Sequence, residues 1–175
     1  MTSAELQAAF EQHKDAVYRF AWRMAGPAAA DDITQDVFVT LLRHPGRFDP
    51  SRGTLRAFLL GIARNLVLKQ WQAAHRLEPL DDEALVGEPI DPARGDVGEL
   101  VGLAVRALPP LQREVVILAE YDGMTLAEIA NAVEADVGTV KSRLHRAREN
   151  LRRRLEPLRR RQSDHHLRQI WTTKS

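Results

Sequence analysis

The sequence has no cysteine, which excludes disulfide frameworks, thiolate metal sites and cysteine nucleophiles and fits a reducing compartment. It also lacks any stretch approaching the roughly 18 uncharged apolar residues of a membrane helix. The N-terminus, MTSAELQAAFEQHKDAVYRF, carries charges throughout and has no basic-then-apolar signal pattern. A cytoplasmic protein without membrane insertion is expected. Long β-branched runs are scarce, which favours helices, and the expected fold class is all-α. No set of convergent carboxylates, metal ligands or an activated nucleophile stands out, so neither an enzyme nor a cofactor is expected. Asp31, Asp32 and Asp36 read as helix-terminal acids, and the adjacent His165 and His166 diverge on a helix, so no metal site is expected.

The chain does contain ample material for folding. Apolar residues make up 44% and charged residues 28% of 175, a globular profile long enough for one ordinary domain or two small ones. The net charge of +1 conceals a strong segregation. Lys and Arg number 10, 1, 9 and 5 across 1–76, 77–100, 101–157 and 158–175, against 7, 8, 8 and 1 acids. An acidic middle flanked by basic regions often accompanies polyanion binding.

From Leu6, the apolar positions Ala9, Phe10, Val17, Phe20, Ala21 and Met24 recur at helical steps until Gly26-Pro27. A second helix is predicted from Asp31-Asp32, with Ile33, Val37, Phe38, Leu41 and Leu42 as its buried stripe and Pro45-Gly46 as its stop. Thr54 caps a predicted third helix whose apolar face is Leu55, Phe58, Leu59, Ile62 and Leu66, with Val67 at its margin, running to about His75. Phe10, Phe20, Phe38 and Phe58 read as core. Three such helices can close a small core. From Leu77 to Gly98 the pattern gives way to Pro, Gly and acid, a flexible acidic linker. The expected organisation is therefore a helical domain over 1–76, a linker over 77–98, a second helical domain over 99–157 and a basic tail over 158–175.

In the second domain Leu100–Leu108 reads as a short helix, and Pro109-Pro110 opens the next, Leu111 to Tyr121. Thr125 and Glu128 form a capping box for a short helix to Val133. Asp136 is placed to cap a last helix from Val137 to about Leu155, with Pro157 beyond its end. Two helices joined by about three residues form a helix-turn-helix, whose second helix can enter the major groove. That helix carries Lys141, Arg143, Arg146, Arg148, Arg152, Arg153 and Arg154 against one acid, Glu149, a density suited to phosphate. At about 100° per residue, Val140, Leu144 and Ala147 point inward. Gly138, Thr139, Ser142, His145 and Arg146 lie opposite, with Lys141 and Arg143 on the flanks. Arg146 or Lys141 can address guanine, while Arg143 and Arg148 suit phosphates.

The stretch LPPLQREVVILAEYDGMTLAEIANAVEADVGTVKSRLHRARENLRRRL resembles the C-terminal, −35-reading domain of extracytoplasmic-function (ECF) sigma factors, with GTVKSRLHRAR (138–148) its most specific part. DDITQDVFVTLL, FDPSRGTLRAFLLGIARN and the tryptophan that follows resemble the family's other domain. The resemblance implies a subunit that directs promoter-specific initiation, with RNA polymerase core (beta-prime clamp and beta flap), promoter DNA and a cognate anti-sigma factor as partners. By position it assigns Lys141, Ser142, His145 and Arg146 to −35 bases, Arg64, Asn65, Lys69 and Trp71 to −10 contacts, and Asp32, Gln35, Asp36 and Phe38 to the clamp-binding surface. For Trp71, burial against the first helix stands beside base contact as a second reading. The family usually has glycine where this chain has Glu134, and tryptophan at Phe58. A non-glycine residue in a left-handed turn costs about 1 kcal/mol. The alternative function is a helix-turn-helix regulator that does not join polymerase.

Overall fold

The computed structural model describes residues 2–75 and 88–172, with side chains through Arg161. Among these residues the secondary structure is helical with no strand, and the architecture follows from a series of local caps. Helix α1 (Ser3–Ala25) starts in a reciprocal box: the Glu5 N–H donates to Thr2 Oγ1 and the Thr2 N–H to Glu5 Oε2. It ends at Gly26, whose φ of +88° lies in the region that favours glycine. Pro27 then opens α2 (Pro27–Arg43) at its first position. This corrects the expected start at Asp31-Asp32. A proline at N1 gives up no helical hydrogen bond and has its φ already set, so the helix begins a turn earlier and the two acids lie within it. Thr54 Oγ1 accepts the Ala57 N–H at 3.1 Å to cap α3 (Leu55–Ala74).

These three helices bury Val17, Phe20, Ala21 and Met24 against Ile33, Val37, Leu41, Leu59, Leu60 and Ala63. Two predicted core residues are not buried. Leu42 is 60% and Phe10 42% exposed, because the apolar stripe is wider than the face its neighbours cover. Phe10 instead sets its ring edge-on to Phe38, 4.9 Å between centroids. Phe38 and Phe58 are themselves only half-buried.

The second body comprises α4 (Val97–Arg106), α5 (Pro110–Val116), α6 (Leu126–Val133) and α7 (Val137–Thr172). Asp96 and Glu99 box the start of α4, as Thr125 and Glu128 do that of α6. Helix α5 widens at its end into a π turn over Ile117–Tyr121, with the Asp122 N–H reaching the Ile117 carbonyl at 3.1 Å. Glu134 takes the left-handed conformation, φ +53° and ψ 44°, and Asp136 Oδ1 accepts the Thr139 N–H at 2.7 Å to start α7.

Pro157 does not end that helix, which continues through it to Thr172. A proline costs an interior helix its N–H bond to the carbonyl four residues back, yet here the surrounding turn is tied down from outside. The Ile90 N–H donates to the Arg154 carbonyl at 3.0 Å, and Arg161 donates to the Pro92 carbonyl at 2.7 Å. Ile90, Leu100, Ala104 and Leu158 form a small apolar cluster beneath. Residues 88–98, read from composition as linker, are therefore partly docked on α7, with a 3-10 turn at Pro92–Arg94 capped by Asp91. The remainder of that expected linker, 77–87, lies outside the described residues.

The two bodies share one continuous apolar cluster, from Val17 and Leu59 to Ile117, Ile129 and Ala147. Helix α6 lies on α3 so closely that a Cβ on Gly61 would stand 3.2 Å from the Ala132 carbonyl oxygen.

Candidate nucleic-acid interface

The helix-turn-helix formed by α6, the Glu134–Asp136 turn and α7 sets one face of α7 outward. Val140, Leu144 and Ala147 are buried, while Lys141, Ser142, His145 and Arg148 are exposed and Arg146 is half-buried. Lys141, Ser142 and His145 thus project together from a helix anchored by three apolar side chains. Thr139 is half-buried and its hydroxyl donates to Asp136 Oδ2 at 3.0 Å, so it serves the cap as well as the face. Arg148 pairs with Glu120 at 2.6 Å with both side chains about half exposed. An exposed pair of this kind is worth about 0–1 kcal/mol and yields readily to a phosphate.

Arg143 is held differently. Its guanidinium lies 3.7 Å from Glu114 Oε1 and its side chain is only 14% exposed. Glu114 also takes Arg64 from α3 in a two-point contact, Nε to Oε2 at 2.8 Å and Nη2 to Oε1 at 3.2 Å. Burial pushes the Glu114 carboxyl above the ordinary carboxylate range, against the pull of both arginines. Arg64 further donates to Asn65 Oδ1 at 3.0 Å. Lys69 is exposed farther along α3, and Trp71 is half-buried and stacks on His75 with centroids 4.4 Å apart. The four residues expected at the −10 element therefore divide: Arg64 and Asn65 stand at the seam between the bodies, Lys69 and Trp71 beyond it. A cleft of about 340 Å³ opens at that seam, lined by Phe48, Phe58, Asn65, Asn131 and Glu134 among others. On α2, Asp32, Gln35 and Asp36 are exposed on one side, with Phe38 half-buried against Phe10.

Sequence reasoning missed Glu114. A signal was present: in the apolar series Leu111, Val115, Leu118 the acid occupies the i+3 position of the same face, where a charge needs a partner. It also missed other ties across the seam. Arg56 contacts Asp122 through Oδ1 at 2.7 Å and the carbonyl at 2.9 Å, Arg113 donates to the Met24 carbonyl at 2.5 Å, and Asn131 donates to the Arg52 carbonyl at 3.3 Å. Among the described residues no group of three or more His, Asp or Glu is placed to hold a metal ion, and no helix is long and apolar enough to cross a membrane.

Family models match two stretches, Sigma-70 region 2 over residues 9–77 and Sigma-70 region 4 over residues 98–151. The ECF RNA polymerase sigma factor SigK of Mycolicibacterium vanbaalenii is 32% identical over 151 residues, covering 81% of this chain and 77% of the relative. The chain belongs to the ECF sigma factors. SigE of Mycolicibacterium smegmatis is 33% identical over 150 residues, and this sigma factor spans 58% of its length. Among solved structures, CnrH in complex with the cytosolic domain of CnrY superposes with a TM-score of 0.66 at 27% identity, covering 89% of this chain and 90% of that one. RpoE in complex with the anti-sigma factor NepR from Bartonella quintana has a TM-score of 0.69 at 24% identity, covering 87% and 97%, and shares the fold. The superpositions extend over both bodies of this sigma factor, not one alone.

Proposed function

We propose that this protein binds core RNA polymerase and directs promoter-specific initiation, without catalysis of its own. The observation that carries the reading is the α7 surface, where Lys141, Ser142 and His145 stand outward over a buried Val140–Leu144–Ala147 stripe in a chain of the ECF family. In this reading residues 99–157 form the −35 domain. Lys141, Ser142, His145 and Arg146 reach base edges, Thr139 shares their face, and Arg143 and Arg148 hold the backbone. Residues 1–76 form the domain that engages the polymerase clamp through Asp32, Gln35, Asp36 and Phe38. The same domain reads and opens the −10 element with Arg64, Asn65, Lys69 and Trp71. A base flipped from the stack needs polar and aromatic groups beside cations, and that is the character of this set.

Each domain reads a few base pairs. When polymerase fixes their spacing the second contact becomes effectively intramolecular, which raises specificity without a larger interface. The protein works in the cytoplasm, where the polymerase is. An anti-sigma factor is a further expected partner, in keeping with CnrH, solved with the cytosolic domain of CnrY. Family membership weighs against a regulator that acts without polymerase.

The test is transcription in vitro from a promoter library with sigma-free core polymerase, with and without the protein. Initiation that depends on the protein is expected at a limited set of sequences; DNA binding without initiation would return the regulator reading. Asp36→Arg is expected to weaken association with core while leaving helicity unchanged, and normal co-purification with polymerase would sink the clamp assignment.

A further inference from the structure

We propose that Glu114 is an intramolecular latch that holds this chain closed and unable to read promoter DNA, by taking Arg64 of the other body out of reach of nucleic acid while Arg143 of its own body backs the carboxylate. The inference rests on the DNA roles given to those residues above. Three observations meet at this carboxylate. Glu114 is fully buried, so its contacts are shielded from solvent, and they join α3 of one body to α5 and α7 of the other. Arg64 is used in a two-point contact, the same donor fork that phosphate or a base edge would require. A guanidinium so engaged is not available to nucleic acid. Finally, the second body itself covers the place where DNA would lie, because α6 packs over α3 at Gly61 and Asn131 reaches the loop before α3.

The chemistry of the seam suits a joint that opens. Around the apolar contact run charged and amide ties, Arg56 to Asp122, Arg113 to the Met24 carbonyl and Asn131 to the Arg52 carbonyl. Each of these groups is rehydrated on separation, in the manner of interfaces between domains that move. On opening, Arg64 exchanges the carboxylate for promoter DNA, while Glu114 keeps Arg143 of its own body. Binding of DNA and closure therefore compete for the same side chain, and the free protein's apparent affinity is reduced by the fraction of molecules that are closed.

The experiment compares the full chain with Glu114→Gln and, independently, Gly61→Leu. The first removes the charge while keeping the shape. The second drives a side chain against the Ala132 carbonyl, replaces a poor helix former with a good one and touches neither arginine. Small-angle scattering reads the radius of gyration, circular dichroism the helicity, and fluorescence anisotropy the affinity for a promoter fragment. Both variants are expected to keep wild-type helicity, expand, and bind the fragment roughly tenfold tighter. Wild-type size and affinity in both would overturn the latch, as would expansion by Gly61→Leu alone beside a folded but compact Glu114→Gln. Should Glu114→Gln lose its helicity, Arg64→Gln breaks the same pair from the other side, and its radius of gyration decides: expansion supports the latch and wild-type size overturns it. Polymerase-dependent transcription by the wild-type protein, run in parallel, tests the sigma reading separately: its absence sinks the function even where scattering shows the variants open.

Discussion

Helices α3 and α7 both carry cations outside their own apolar stripes, yet α7 presents most of those in its first turns while the central cation of α3 is withdrawn. On α7, Lys141, Ser142 and His145 are exposed, and Arg148 is engaged only by a solvent-washed Glu120. On α3, Arg64 is 13% exposed and locked onto a carboxylate that sees no solvent. Helix α7 is much the richer in cations, but composition does not decide which of them is available. The difference lies in what stands opposite: water in one case, Glu114 and α6 in the other. Whether a basic residue is available to nucleic acid is thus a tertiary property, and Arg143 makes the point within a single helix, since it sits between the exposed Ser142 and the buried Leu144 and turns inward to the same acid.

The contrast can be broken most strongly at Ile129, which is wholly buried on the helix that covers α3. Ile129→Ala is expected to lower the unfolding free energy by about 2–5 kcal/mol, read from denaturant midpoints, and to loosen the cover over α3 while leaving the α7 sequence untouched. A loss within experimental error would mean that α6 collapses onto the void. Next in size, Lys141→Ala and Arg146→Ala sharpen the open side: each should cost about 1–3 kcal/mol of discrimination at one −35 position with association to core polymerase intact. Unchanged promoter preference would remove α7 from base reading. Asn150→Ala probes the support behind that face. Asn150 is buried, donates to Gln112 Oε1 at 2.7 Å and accepts from Arg153 at 2.7 Å, so its removal should destabilise by about 1–3 kcal/mol. The smallest effect belongs to Glu134→Gly. Relieving a left-handed glutamate should gain about 1 kcal/mol, seen as a higher melting temperature, and a decrease would show that the side chain contributes more than the conformation costs.

What could be read in advance was whatever depends on neighbours in sequence. Thr54, the Thr125–Glu128 pair and Asp136 each cap a helix through a residue no more than three positions away, and the outward face of α7 follows from helical geometry once its apolar stripe is found. The left-handed Glu134 is legible only through the resemblance, from the glycine the family usually has there. The misreadings have a common physical origin in the competition between local and distant forces. Pro157 is a stop signal locally, but Ile90, Leu158 and the Arg161–Pro92 bond hold the chain helical around it. Asp31 and Asp32 look like a helix start, but Pro27 begins the helix first. Leu42 follows the apolar period without any neighbour to cover it. Glu114 is the deepest case, because its partner Arg64 lies 50 positions away, and nothing in either local sequence names the other.

The docking of residues 88–94 along α7 also sets a length. Only twelve residues, 76–87, separate His75 from Glu88, and a chain of that size spans at most ~45 Å when fully extended. While Ile90 stays on Arg154, the end of α3 moves only inside that radius of its anchor, a distance comparable to roughly 13 base pairs at 3.4 Å each. The strap on α7 therefore limits how far the end of α3 can part from the second body, and each residue released from it lengthens that reach.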